Sequence, residues 1–72
     1  MKKLKKIKIS VNGKIKSVIE KLTLYELIID LKIPISKVAI ELNKKIIDKK
    51  KLKKIKLKNN DIIEIVHFIG GG

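Results

Sequence analysis

Apolar and polar residues alternate at both ends of this chain and follow a helical spacing between them. Ile7, Ile9 and Val11 alternate with Lys6, Lys8 and Ser10, the period of two expected of a half-buried strand. Asn12-Gly13 comes next and predicts a hairpin, because a type I′ turn needs φ > 0 at both central residues. Residues 14–20 return as the second strand, with Ile15 and Ile19 on one face. Thr23-Leu24-Tyr25-Glu26 matches a capping box, in which the Thr hydroxyl and the Glu carboxylate take up two orphan backbone donors of a helix start. Leu24, Leu27, Ile28 and Leu31 recur at helical spacing, so one short amphipathic helix is expected to run to about Lys32. Pro34 keeps Ile33 out of the helical region and closes the element.

Alternation then resumes. Val38, Ile40 and Leu42 interleave with Ala39, Glu41 and Asn43 to give a third strand, and Asn43-Lys44 turns into a short strand at Ile46-Ile47. Residues 48–58 form a lysine-rich irregular connection pinned by Leu52, Ile55 and Leu57, and Asn59-Asn60-Asp61 is a turn. The last strand covers 62–69, with Ile63, Ile65 and Ile69 on one face and Glu64, Val66 and Phe68 on the other. A strand apolar on both faces belongs inside a sheet rather than at its edge. The order of hairpin, helix, two strands, connection and final strand resembles the ubiquitin-like β-grasp fold. That resemblance implies an α+β domain in which a mixed sheet of about five strands wraps one helix. It also implies that the first and last strands pair in parallel at the centre.

Length and composition narrow the chemistry. With 72 residues there is one domain, expected at 1–69 and followed by a flexible glycine tail at 70–72. A chain of this size buries only about 60% of its unfolded surface, which leaves no room for an enclosed cofactor. There is no Cys, hence no disulfide, thiolate nucleophile or Cys-based metal site. His67 alone makes no metal site, so no metal, bound cofactor or catalytic residue is expected. The basic start of the chain has no uninterrupted apolar stretch behind it. That argues against a signal peptide or membrane span and for the cytoplasm.

The net charge of +12 raises a nucleic-acid reading that the residue types oppose. All 19 basic residues are Lys, and Lys and Ile dominate the chain, a skew expected of an AT-rich genome. Arg, the better partner for guanine and phosphate, is missing. With Tyr25 and Phe68 the only aromatics, no base-stacking platform can form. Specific nucleic-acid binding is not expected.

The end of the sequence, Ile69-Gly70-Gly71-Gly72, carries the chemistry. Three glycines after a strand have nothing to turn. They offer a backbone without side chains that threads a narrow slot and carries its carboxylate about 10 Å from the sheet. Together with Ile9-Ser-Val-Asn-Gly13, Val38-Ala-Ile-Glu-Leu-Asn43 and Asp61-Ile-Ile-Glu-Ile-Val-His-Phe-Ile-Gly-Gly-Gly72, this ending resembles the ThiS family, the sulfur carriers of thiamine biosynthesis. The related molybdopterin-synthase small subunits run longer and tend to carry prolines before their Gly-Gly. The ThiS resemblance implies a protein cosubstrate and not an enzyme. Gly72 would be adenylated by an activating enzyme using ATP and Mg²⁺, and sulfur from a persulfide donor would give a C-terminal thiocarboxylate for thiazole synthase. Gly70 and Gly71 would thread the partner's slot, and the free protein would be a monomer.

Other features are weighed against simpler roles. Val66 and Phe68 fall on the open side of the sheet and are expected to dock partners. His67, on the inward-facing parity, is expected to be a hydrogen-bonded packing residue. The Lys49-Lys50-Lys51 and Lys53-Lys54 run is expected to be a solvated loop, with electrostatic steering as the minor alternative. Alternatives stay open at this level: a molybdopterin-synthase small subunit-like sulfur carrier, a ubiquitin-like protein modifier and, more distantly, a small basic nucleic-acid-binding protein.

Overall fold

The computed structural model describes residues 3–68, so Ile69, Gly70, Gly71 and Gly72 lie outside the described residues. A five-stranded sheet has the order β2-β1-β5-β3-β4, with β1 at Lys6–Val11, β2 at Lys14–Ile19, β3 at Val38–Leu42, β4 at Lys45–Ile46 and β5 at Ile62–His67. The last strand is central as expected. It runs parallel to β1 through Ser10↔Ile62 and Val11↔Ile63, and antiparallel to β3 from Leu42↔Ile63 to Val38↔His67.

Helix α1, Leu24–Asp30, is short, and its start is the capping box read from the sequence. The Glu26 amide donates to Thr23 Oγ1 at 3.0 Å, and the Thr23 amide donates to Glu26 Oε1 at 2.9 Å. The helix ends earlier than Lys32. Lys32 takes a left-handed φ of 59°, its amide donates to the Ile29 carbonyl, and the Ile33 amide reaches back to the Ile28 carbonyl at 3.3 Å. This is a Schellman ending, usually built with Gly at the left-handed position. Here a lysine occupies it, and Pro34 follows.

Leu24, Leu27 and Ile28 are buried, and they join Ile9, Val18, Val38, Ile40, Leu52, Leu57, Ile63 and Ile65 in one core. Helix α1 therefore covers the Ile9 face of the sheet. The β1–β2 register decides which face of β2 is covered. Ile7 faces Val18, whereas Ser10 faces Ile15, so Val18 enters the core. Ile15 and Ile19 do share a face, the open one, where they are 73% and 43% exposed.

The lysine-rich connection is more regular than expected. It contains a 3₁₀ helix at Lys49–Lys54, with Asp48 Oδ1 accepting from the Lys50 amide at its start. Leu52 is the buried anchor of this helix. A second short 3₁₀ turn, Ile35–Lys37, leads into β3. Residues after the Lys49–Lys54 helix fasten the entry to α1, since the Leu24 amide donates to the Ile55 carbonyl and the Leu57 amide to the Leu22 carbonyl.

Candidate functional site

Among the described residues, β5 is the element that precedes Ile69 and the glycines in the sequence. Two hairpin asparagines hold it from opposite sides. On the β1 side, Asn12 sits at φ 49° and Gly13 at φ 83°, the pairing that a type I′ turn requires. The Asn12 amide donates to the Ile63 carbonyl at 2.9 Å. Its side chain then acts as one further strand residue: Oδ1 accepts from the Ile65 amide at 2.7 Å, and Nδ2 donates to the Ile65 carbonyl at 3.2 Å. On the β3 side, Asn43 and Lys44 have φ of 52° and 70°, so Asn43-Lys44 is a type I′ loop without glycine. Asn43 Oδ1 accepts from the Ile62 amide at 2.9 Å, and its own amide donates to the Ile62 carbonyl at 2.7 Å.

Beyond Ile65 the strand has a strand neighbour only in β3, because the β1 register ends at Val11↔Ile63. Val38 faces His67, and the Phe68 amide donates to the Lys37 carbonyl at 3.0 Å. The end of β5 thus projects past the β1–β2 hairpin with one flank supported.

The structure places Val66 and Phe68 on the open face, 56% and 52% exposed, while Ile63 and Ile65 point into the core. Ile15, Ile46 and Ile62 are also exposed. By register they share that face with Ser10, Ala39 and the cross-strand pair Glu41↔Glu64. A shallow hollow lined by Lys8, Ser10, Ile15 and Ile62 lies on this side. This face thus mixes exposed apolar side chains with Lys6, Lys8, Glu41 and Glu64, and among the described residues no second layer covers it.

His67 departs from expectation. It has the inward parity of Ile63 and Ile65 but is exposed, although its β3 partner Val38 is buried, because the β1 register ends at Ile63 and leaves its other flank without a strand. It is not a packing residue. Phe68 has an unforeseen neighbour: the Lys49 ammonium lies over its ring, 5.1 Å from the centroid. Lys53 stands 4.7 Å over the ring of Tyr25 in α1. The lysine-rich 3₁₀ helix is therefore pinned between α1 and the exit of β5, which no local sequence pattern signals. Among the described residues no group of three or more His, Cys, Asp or Glu is placed to hold a metal ion. No helix there is long and apolar enough to cross a membrane. Gly70, Gly71 and Gly72, where the sequence places the expected chemistry, lie outside the described residues.

Comparison with known proteins agrees with this architecture. The chain is 51% identical over 35 residues to the sulfur carrier protein ThiS of Bacillus subtilis (strain 168), a match covering 49% of this chain and 53% of that protein. The chain thus spans about half the length of that curated relative. A crystal structure of the thiamine biosynthesis protein ThiS from Geobacter metallireducens superimposes with a TM-score of 0.81 at 32% identity, over 92% of this chain and all of that one. The solution structure of a thiamine biosynthesis protein from the same organism gives a TM-score of 0.73 at 32% identity, over 92% of this chain and 88% of that one. The five-stranded mixed sheet on one helix is the ubiquitin-like β-grasp fold of these proteins. Residues 9–72, from the first strand through the last glycine, match the ThiS family, and the chain belongs to that family.

Proposed function

We propose that this chain is a sulfur carrier of thiamine biosynthesis, working in the cytoplasm as a protein cosubstrate with Gly72 as its reactive end. The Gly72 carboxylate has a reference pKa of about 3.3–3.7, so it is ionised at neutral pH and is a poor electrophile. An activating enzyme with ATP and Mg²⁺ makes it reactive: a carboxylate oxygen attacks the α-phosphate, pyrophosphate leaves, and an acyl adenylate forms. A persulfide sulfur then displaces AMP, and thiol cleavage of the resulting S–S bond leaves the thiocarboxylate. That sulfur passes to thiazole synthase. No side-chain thiol is needed on the carrier, in keeping with a sequence without Cys.

The observation that carries this reading is the family match running through Gly72. It is supported by a central strand whose end bears Val66 and Phe68 on the open face. These two side chains dock the activating enzyme while Gly70 and Gly71 thread its slot. The deciding experiment incubates the protein with the host's activating enzyme, ATP, Mg²⁺ and a persulfide donor, and measures its intact mass. A gain equal to one oxygen-to-sulfur exchange, localised to the last residue, is the expected result. Isopeptide conjugates to other proteins in its place would mean a protein modifier.

A further inference from the structure

Positive charge is concentrated in one part of this chain. Residues 44–58 contain nine lysines and a single acid, Asp48, while the rest of the chain contains ten lysines and six acids. A drift toward AT-rich codons loads lysine throughout a sequence and does not account for that concentration. Nor does stability, since like charges at helical spacing repel. Five lysines nevertheless share the six-residue helix Lys49–Lys54. The fold puts this helix beside the functional end: Leu52 is buried, Lys53 lies over Tyr25, and Lys49 lies over Phe68. Lys50, Lys51 and Lys54 are left exposed along this helix as a basic ridge, joined to the exit of β5 through Lys49.

Resting on the sulfur-carrier reading, we propose that this ridge is a docking surface for an acidic patch on the activating enzyme, placed beside the slot that receives the glycine tail. Charge complementarity sets the chemistry of the partner, and continuity with Phe68 through Lys49 sets its location. A nucleic acid is a poorer occupant. Base stacking needs a set of aromatic faces, and the chain has only two aromatic residues, Tyr25 and Phe68, and no Arg. A ridge of this kind raises the encounter rate by roughly 10- to 1,000-fold at low ionic strength, and the gain falls steeply with salt.

The test compares association rates with the activating enzyme at low and high salt for three proteins. These are wild type, Lys50→Glu/Lys51→Glu/Lys54→Glu, and a control of equal charge change on the first hairpin, Lys6→Glu/Lys14→Glu/Lys16→Glu. Circular dichroism checks each fold, and a Lys→Gln version of the ridge triple replaces the Glu version if that one is misfolded. The ridge triple should slow association at least ~10-fold at low salt and converge on wild type at high salt, with the control changed less than ~3-fold. Equal slowing by both triples, or no slowing by the ridge triple, overturns the proposal. Adenylation of wild type is scored separately. If wild type is not adenylated, the sulfur-carrier reading falls and takes the ridge with it. If it is adenylated, only the ridge is judged by the variants.

Discussion

The side-chain amide of Asn12 pairs with the backbone of Ile65, 53 residues away, in the two-bond pattern of a neighbouring strand residue. One residue therefore both forms the first hairpin and extends the grip of β1 on β5 by two positions, from Ile63 to Ile65. Beyond that point the strand is released on this flank, and there it presents Val66 and Phe68.

Asn12→Gly separates these two roles. Glycine accepts the positive φ of the turn, so the hairpin is kept while the clamp is lost. Two part-buried hydrogen bonds go with it, and stability should fall by about 1–3 kcal/mol. Urea unfolding measures the total, and hydrogen exchange locates it. The Ile65 amide should lose more protection than that of Ile40 on the adjoining strand. Unchanged exchange at Ile65 would show that the clamp contributes nothing in solution.

Lys44 predicts a gain instead. A non-glycine residue at φ 70° in the second hairpin carries a left-handed strain of roughly 1–2 kcal/mol, partly offset in glycine by the entropy of a freer unfolded chain. Lys44→Gly should raise stability by up to about 1 kcal/mol, seen as a higher urea midpoint at an unchanged slope. A lower midpoint would mean that the lysine side chain has a compensating contact.

Acid should loosen the helix start. The Thr23 backbone amide and then its hydroxyl, both bonded to the carboxylate, lower the pKa of Glu26 from the ordinary value of 4.5. With the folded value below the unfolded one, the stabilisation is fully present above about pH 4.5 and is lost as pH falls through the folded value. Glu26→Gln should therefore be less stable than wild type at pH 7, with the difference closing toward pH 3. A gap that stays constant with pH would mean that ionisation of Glu26 plays no part in the cap.

These residues also show which parts of the molecule were legible from sequence. The alternation of β1, β3 and β5, the Asn12-Gly13 turn and the Thr23–Glu26 cap depend on neighbours within four residues, and the structure agrees with them. The short strand expected at Ile46-Ile47 lies one residue earlier, at Lys45–Ile46, and β5 ends at His67, before Phe68. β2 was ambiguous because Ile15, Val18 and Ile19 do not share one parity; pairing with Ile7 decided that Val18 goes inward. The lysine-rich 3₁₀ helix, started locally by Asp48, is not legible as a helix because the contacts that hold it run to Tyr25 and Phe68, far off in the sequence. At the site, alternation alone put Val66 and Phe68 outside. It also put His67 inside, since parity states a direction and not whether a strand stands on both flanks. The contacts of Asn12 with Ile65 and of Lys49 with Phe68 join distant positions, and no local pattern encodes them.

Phe68→Asp tests the docking face. The side chain is half exposed and its backbone bond to Lys37 does not depend on it, so the fold should survive. Aromatic anchors at interfaces carry about 2 kcal/mol or more, so the KM for the activating enzyme should rise ~10-fold or more with a native-like dichroism spectrum. An unchanged KM would return Phe68 to a purely structural role beneath Lys49.

The tail is where the proposed function is most exposed to disproof. Under the proposed function, activation would need the Gly72 carboxylate in line with the α-phosphate of ATP, at a reacting distance of about 3–3.5 Å. A side chain at position 71 widens the thread and restricts its backbone. Gly71→Val should therefore reduce ATP–pyrophosphate exchange at least ~100-fold, the penalty of a misplacement near 1 Å. Deleting Gly72, or adding a residue beyond it, moves the carboxylate by a full residue, roughly 3.3–3.6 Å, and should do at least as much. Thermal unfolding of each variant separates lost activation from lost fold. The decisive comparison is the extended chain. If it exchanges pyrophosphate as fast as wild type, the carboxylate of Gly72 is not the group that reacts, and the sulfur-carrier reading fails at its chemical step while the β-grasp fold stands.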